Sequence, residues 1–160
     1  MNKKYSVKKV RIFSIFHMLQ VERILYRCGK NMAKKEGLHH WDNSKLKSIA
    51  IVFLCSLKNN IHIVYDSKKP VATFQIKQIG DRLKFQKIAV DPEFSCRGIG
   101  SFCIEIIEER AKKDGCKSVF CEVYDKSQHA ITFYSKKGYA VVGKKETLKY
   151  KVWIMERNLG

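Results

Sequence analysis

Polar and apolar residues alternate weakly from Tyr5 to Val10, the pattern of a first strand. Beyond it Met18, Val21, Leu25, Cys28 and Met32 recur every three or four residues, which predicts an amphipathic helix ended by Gly37. The stretch "GLHHWDNS" reads as a loop, with Asn43 or Ser44 as cap of a second helix that carries Leu46, Ile49, Ala50, Phe53, Leu54 and Leu57 on one side. After Asn59-Asn60 the period shortens from helical to two. Residues 61–66, 71–78 and 82–90 then read as three alternating strands. Lys68-Lys69-Pro70 and Gly80-Asp81 supply the turns, so an antiparallel meander is expected.

The clearest helical pattern runs from Gly98 to Lys113, with Ile99, Phe102, Cys103, Ile106, Ile107 and Ala111 as its buried stripe. Glu105, Glu108, Glu109, Lys112 and Lys113 fall on the side expected to face water, where Glu108–Lys112 and Glu109–Lys113 are favourable pairs one helical turn apart. Asp114-Gly115 stops the helix. The strand "SVFCEVY" (118–124) lies between two helices and should run parallel to the strand ending at Val90. A short helix over Gln128 to Lys137 closes at Gly138, "YAVVG" follows, and Thr147 to Glu156 reads as a last strand. The order is β-α-α-β-β-β-α-β-α-β-β. It predicts an α/β (α+β) class: one domain over residues 1–160 with a single mixed central sheet of about seven strands and helices on both faces.

Composition changes this picture little. An apolar content of 45% and 29% charged residues are ordinary for a globular chain, and 160 residues can bury a real core. Six cysteines without a Cys-x-x-Cys pair predict reduced thiols rather than staples or a metal site. The early basic residues and the apolar patch Ile12 to Leu19 imitate a signal peptide. Glu22, Arg23 and Arg27 interrupt the patch and no small-residue cleavage site follows, so a cytoplasmic protein without a membrane partner is expected. The net charge of +17 is the outlier. It is spread along the chain, with 13 Lys/Arg against 3 acids before Ile61 and 19 against 12 after. Such a field attracts phosphorylated ligands and polyanions.

Chemistry points to "VDPEFSCRGIGSFCIEI" (90–106), where two glycines stand between a strand and a helix. Glycines there let backbone N–H groups approach an anion at the positive end of a helix. A P-loop would need Lys-Ser/Thr after its last glycine, and none is present. A dinucleotide fingerprint would need a third glycine where Cys103 stands, in a parallel sheet that the meander disfavours.

"SCRGIGS" (95–101) resembles the pyrophosphate loop Gln/Arg-x-x-Gly-x-Gly/Ala of the GNAT N-acetyltransferases, with Ser95 in place of the first Gln or Arg. "AITFYSKKGYAVVG" (130–143) resembles that family's C-terminal motif, with Ser127 where an Asn is usual, and "KIAVDPEF" (87–94) looks like its central strand. The resemblance is specific from Lys87 to Gly143 and looser before it, where "GLHHWD" is similar to acceptor-binding regions.

The resemblance implies the GNAT fold and transfer of an acetyl group from acetyl-CoA to a primary amine, a small molecule or protein amine, by a monomer or homodimer. It implies that Cys96, Arg97, Gly98, Ile99, Gly100 and Ser101 hold the cofactor's pyrophosphate. Ile88, Ala89 and Val90 would pair with its pantetheine arm by their backbone, Ser127 would join the cofactor site, and Tyr134 would act as general acid. No metal is implied. The base stays open among Glu122, Asp66, His39, His40, His62 and a relayed water, because "LKFQKIAV" offers no carboxylate. His39-His40-Trp41 is equally readable as a packed loop, Phe133-Tyr134 as core, Ser127 as a helix cap and the glycines as a plain turn. A CoA-binding protein without catalysis is a second reading, and a nucleic-acid-binding module driven by charge is a third; salt dependence of DNA retention separates the latter.

Overall fold

The structure, a computed structural model, describes residues 5–11, 13–39, 49–58, 60–146 and 150–160. A mixed seven-stranded sheet runs in the order β1-β2-β3-β4-β5-β7-β6. The strands are β1 (Tyr5–Lys9), β2 (Asn60–Asp66), β3 (Lys69–Ile79), β4 (Arg82–Val90), β5 (Ser118–Tyr124), β6 (Ala140–Glu146) and β7 (Lys151–Asn158). Among the described residues the α-helices are α1 (Ile15–Glu36), α2 (Ile49–Lys58), α3 (Ile99–Lys113) and α4 (Gln128–Lys136). The predicted order of elements is the observed one. The caps proposed at Asn43 or Ser44 and the helical position of Leu46 lie outside the described residues.

Two compact units divide the chain, Met1–Ile76 with Lys87–Cys103 and Lys77–Gln86 with Ile104–Gly160. In the first, β1 and β2 pair antiparallel from Tyr5↔Asp66 to Lys9↔His62, and β2 pairs antiparallel with β3. Ser14 accepts from the His17 N–H and opens α1, and Gly37, at φ 64, closes it by donating to the Ala33 carbonyl. The α1 stripe Met18, Val21, Ile24 and Leu25 packs with Val52 of α2, Ile61 and Ile63 of β2, and Ala89 of β4. Each of the larger side chains among them contributes about 1.5–3 kcal/mol by leaving water.

Two expectations need correction here. The β2–β3 turn is Ser67-Lys68, with Ser67 at φ 57, and Lys69-Pro70 already belongs to the strand. Proline is tolerated there because it sits at the strand's beginning, where a missing donor costs least. The middle of β3 shows no alternation: Val71 to Ile76 are all buried, because β3 is an interior strand of the sheet. Thr73 tolerates this by donating its hydroxyl to the His62 carbonyl at 2.9 Å.

In the second unit β4 pairs parallel with β5 over Arg82↔Ser118 to Lys84↔Phe120, as the sequence predicts. β5 and β6 each pair antiparallel with β7. Leu83, Phe85, Ile104, Ile107, Ala111, Val119 and Met155 are buried. Ile104, absent from the predicted helix stripe, is in this core, while Phe102 and Ile106 are half-buried. Among the described residues the final strand is Lys151–Asn158, ending two residues beyond the expected Glu156, and the expected strand positions 147–149 lie outside the described residues.

Glu108 also departs from expectation. Its side chain is 14% exposed, held by two bonds from Arg157 at 3.0 and 3.1 Å and one from the Tyr139 hydroxyl at 3.1 Å. Periodicity placed it on the water side of α3. A basic partner far along the chain drew it inward, since a half-buried carboxylate is stable only with such partners.

Candidate functional site

The first unit holds the strand-loop-helix segment from Lys87 to Cys103. Lys87 stands at φ 52, a left-handed conformation that interrupts the regular pleat of β4. Ile88 and Val90 are half-buried and Ala89 is buried in the core of α1 and β2. The Asp91 N–H donates to the Val71 carbonyl at 2.8 Å, so the strand is still tied to β3 at its end. Asp91 Oδ1 then accepts from the Glu93 N–H at 3.1 Å and caps a short 3-10 turn, Pro92–Phe94.

Ser95 donates its hydroxyl to the Pro92 carbonyl at 2.7 Å, which turns it back on the 3-10 turn. Cys96, at φ 60, and Gly98, at φ 77, are both left-handed. The Arg97 guanidinium lies over the Phe94 ring, 5.1 Å from its centre, and the Arg97 carbonyl accepts from the Tyr5 hydroxyl at 3.2 Å. Cys96, Arg97 and Gly98 are exposed, whereas Ile99 is buried and anchors the helix start. The Phe102 N–H donates to the Gly98 carbonyl at 3.0 Å, the first bond of α3. By helix geometry the N–H groups of Ile99, Gly100 and Ser101 have no acceptor within the helix, and Gly98 has no side chain to cap them. A Cβ on Gly98 would meet nothing within 4 Å, so the glycine is required by its φ and not by crowding. Donors without a helical acceptor at the positive end of a helix, reached through the exposed residues Cys96 to Gly98, fit a pyrophosphate.

Arg27 of α1 reaches this segment. Its guanidinium lies 2.8 Å from Glu93 and 3.4 Å from the buried Asp91, and it holds the Glu93 carboxyl below its ordinary range. The α1 pattern gave no sign of this pair, because helical periodicity marks the buried face and not what lies over it. A recess of about 560 Å³ opens beside the loop, lined among others by Gln20, Arg23, Lys69 and Phe94. None of Ile88 to Val90 or Cys96 to Ser101 lines it.

The second unit carries Ser127 and Tyr134. Ser127 is buried at the N-cap position of α4, where its carbonyl accepts from the Ile131 N–H at 3.0 Å. Its side chain makes no capping bond, so its hydroxyl is not the helix cap that the sequence allowed. The half-buried Tyr134 ring packs against Phe85 at 5.5 Å, Phe133 at 5.2 Å and Tyr139 at 6.0 Å. The Tyr134 carbonyl accepts from the N–H groups of Lys137 and Tyr139. Arg157 donates to the Lys137 carbonyl at 3.0 Å while gripping Glu108, which fixes the end of α4. Burial and the Glu108 carboxylate raise the Tyr139 pKa, so Tyr139 stays a proton donor to that carboxylate.

Of the base candidates, Glu122 is paired with Lys84 at 2.9 Å and Lys145 at 3.7 Å. His62 stacks on Phe74, centroids 4.9 Å apart and planes 9° from parallel. Asp66 is half-buried at the end of β2 and His39 is exposed after α1, while His40 and Trp41 lie outside the described residues. The cysteines are free; Cys103, Cys116 and Cys121 are buried, Cys28 and Cys55 half-buried, and Cys96 exposed. No group of three or more metal-binding side chains occurs among the described residues. No helix among them is long and apolar enough to cross a membrane.

The acetyltransferase (GNAT) family model matches residues 23–139, which includes both segments. The uncharacterised N-acetyltransferase YjcF of Bacillus subtilis (strain 168) is 31% identical over 86 residues, 54% of this chain and 59% of that protein. The chain therefore matches less than two thirds of the length of that relative. The protein YdhI of the same organism is 26% identical over 113 residues, 69% of this chain and 68% of its own. Among solved structures, the PaiA N-acetyltransferase of Thermoplasma acidophilum in complex with coenzyme A has a TM-score of 0.74 at 18% identity, over 96% of this chain and 99% of that one. A GNAT family acetyltransferase of Elizabethkingia anophelis with acetyl-CoA bound has a TM-score of 0.74 at 10% identity, over 99% and 100%. At such identities these structures establish the fold.

Proposed function

The chain belongs to the acetyltransferase (GNAT) family, and from that premise we propose that it transfers an acetyl group from acetyl-CoA to a primary amine. One observation carries the reading: Cys96 to Gly98 form an exposed loop, left-handed at Cys96 and Gly98, that leads into the start of α3 at Ile99, where Gly98 offers no side-chain cap. In this reading the N–H groups from Cys96 to Ser101 bind the pyrophosphate and Arg97 adds charge at the rim. Ile88, Ala89 and Val90 present backbone groups to the pantetheine arm as an added strand would, and one N–H there supports the oxyanion. Ser127 completes the cofactor's surroundings. Acetyl-CoA supplies the activated acetyl thioester. Tyr134 gives its phenolic proton to the leaving sulfur; a phenol near pKa ~10 and a thiol near ~8.5 make that transfer modestly uphill and feasible once positioned. A single domain over residues 1–160 and a cytoplasmic location belong to the same reading; the family match across both units supports the former.

A CoA-binding protein without catalysis is the second reading. Glu122, the candidate carboxylate on β5, is occupied by two lysines, and β4 carries Lys87 where a base would be useful. The deciding experiment is CoA release from acetyl-CoA over a panel of amines, covering small amines, amino acids and peptide N-termini, with CoA binding measured beside it. Release with at least one amine supports the first reading. Binding with no release on any amine selects the second, and no binding refutes both.

A further inference from the structure

The short helix α4 depends on its neighbours. It has nine residues and no side-chain bond at its N-cap, so it is marginal alone and takes its geometry from the elements that hold it. The hold is at its C-terminal end, within the second unit. The Tyr139 N–H donates to the Tyr134 carbonyl at 3.1 Å and the Gly138 N–H to the Ser135 carbonyl at 3.0 Å, with Gly138 left-handed at φ 84. These two bonds make a Schellman closure, in which Tyr134 and Tyr139 occupy the two positions whose side chains ordinarily meet. Their rings do meet, 6.0 Å apart, and both pack on Phe85.

Glu108 of α3 and Arg157 of β7 secure that closure from outside. Arg157 Nη1 donates to the Lys137 carbonyl at 3.0 Å and to the two Glu108 oxygens at 3.0 and 3.1 Å. The Tyr139 hydroxyl donates to the same carboxylate at 3.1 Å. One carboxylate therefore ties both the closing residue Tyr139 and, through Arg157, the carbonyl that follows the helix to α3.

We infer that Glu108 and Arg157 are positioning residues for the Tyr134 phenol: they set the direction in which its ring leaves α4, and so where its proton is delivered. The inference rests on Tyr134 as general acid in the proposed function. Neither residue need touch cofactor or acceptor. A proton donor must lie within about 2.6–3.2 Å of the atom it serves, and a misplacement of about 1 Å can cost a hundredfold in rate. Without Arg157 the Lys137 carbonyl loses this donor and Glu108 its cationic partner, which lets the end of α4 and the Tyr134–Tyr139 pair tilt together.

The test is a double-mutant cycle on the full chain. It uses Arg157→Met, which keeps an unbranched stem and removes the donors, Tyr134→Phe and the two combined. CoA release with a reactive amine gives kcat and KM for acetyl-CoA, with CoA binding counting the folded molecules. Arg157→Met is expected to lower kcat about tenfold and to leave KM within twofold. In the Tyr134→Phe background the same change should lower kcat less than twofold, because the proton it would misplace is gone. Should Arg157→Met not fold, Glu108→Gln replaces it in the cycle with the same expectations. Unchanged kcat in the substituted chain overturns the inference and leaves Tyr134 as general acid, provided Tyr134→Phe lowers turnover. Equal falls in both backgrounds also overturn it, since the pair then acts other than through Tyr134. If Tyr134→Phe turns over normally, or no amine releases CoA, the catalytic reading falls and takes the inference with it.

Discussion

Replacing Gly98 by alanine tests the anion loop at the atom where it is most constrained. A Cβ at this position meets nothing within 4 Å, so Gly98→Ala creates no clash and its penalty is conformational alone. At φ 77 that penalty is about 1–2 kcal/mol for as long as the backbone is held. The exposed residues before Gly98 can relax, so the free protein sheds the strain and keeps most of its stability. The ligand must then restore the left-handed geometry, and the same 1–2 kcal/mol appears as an affinity for CoA about 5–30-fold weaker. Gly80 provides the matched control: it stands at φ 60, also with nothing within 4 Å, in the tight turn between β3 and β4. Paired strands on both sides prevent relaxation there, so Gly80→Ala should lose about 1–2 kcal/mol of stability and no affinity. Urea denaturation and calorimetric CoA titration of both variants read the two quantities. Gly98→Ala binding CoA as tightly as the unaltered chain would refute the assignment of the loop, and equal affinity losses in both variants would refute the local argument.

Tyr134→Phe keeps the ring packed on Phe85 and Tyr139 and removes the phenolic hydroxyl with its proton. Turnover should fall about a hundredfold in a CoA-release assay with CoA affinity unchanged, and unaltered turnover removes Tyr134 from the chemistry. Glu108→Gln should cost about 1–3 kcal/mol in urea unfolding because Arg157 and Tyr139 lose a charged acceptor; a change within about 0.5 kcal/mol would return Glu108 to the solvated face. Burial pushes the Cys28 thiol up to about 11 and the Cys103 thiol up to about 12 from an ordinary 9.0. Between those values the folded chain holds protons that the unfolded chain has lost. The stability these thiols contribute is complete below pH 9 and declines as pH rises above it, so a urea midpoint that rises over that range would contradict their burial.

Much of the fold was legible because its signals are local. The α1 stripe, the change of period after Asn60 and the glycines at positions 37, 80, 115 and 138 mark elements and their ends, and all four glycines have positive φ. The candidate loop was legible for the same reason: two glycines between a strand and a helix state a backbone requirement that sequence spacing preserves. What failed depended on partners. Glu108 looked solvated until Arg157, 49 residues later, met it. Val71 to Ile76 looked like an alternating strand, but an interior position buries both faces. Arg27 and Cys55 carried no motif at all; each meets a residue on another element, Glu93 and Lys87.

The sequence by itself determined the order of elements, the direction of β5 against β4 and the loop that α3 begins from, since periodicity and glycine placement act over a few residues. Only the tertiary structure decided which charges are paired, that Lys87 stands left-handed inside a strand, and that its amine rests on a cysteine of α2. These depend on distances between residues remote in the chain, which the burial of a shared core sets and no local pattern encodes.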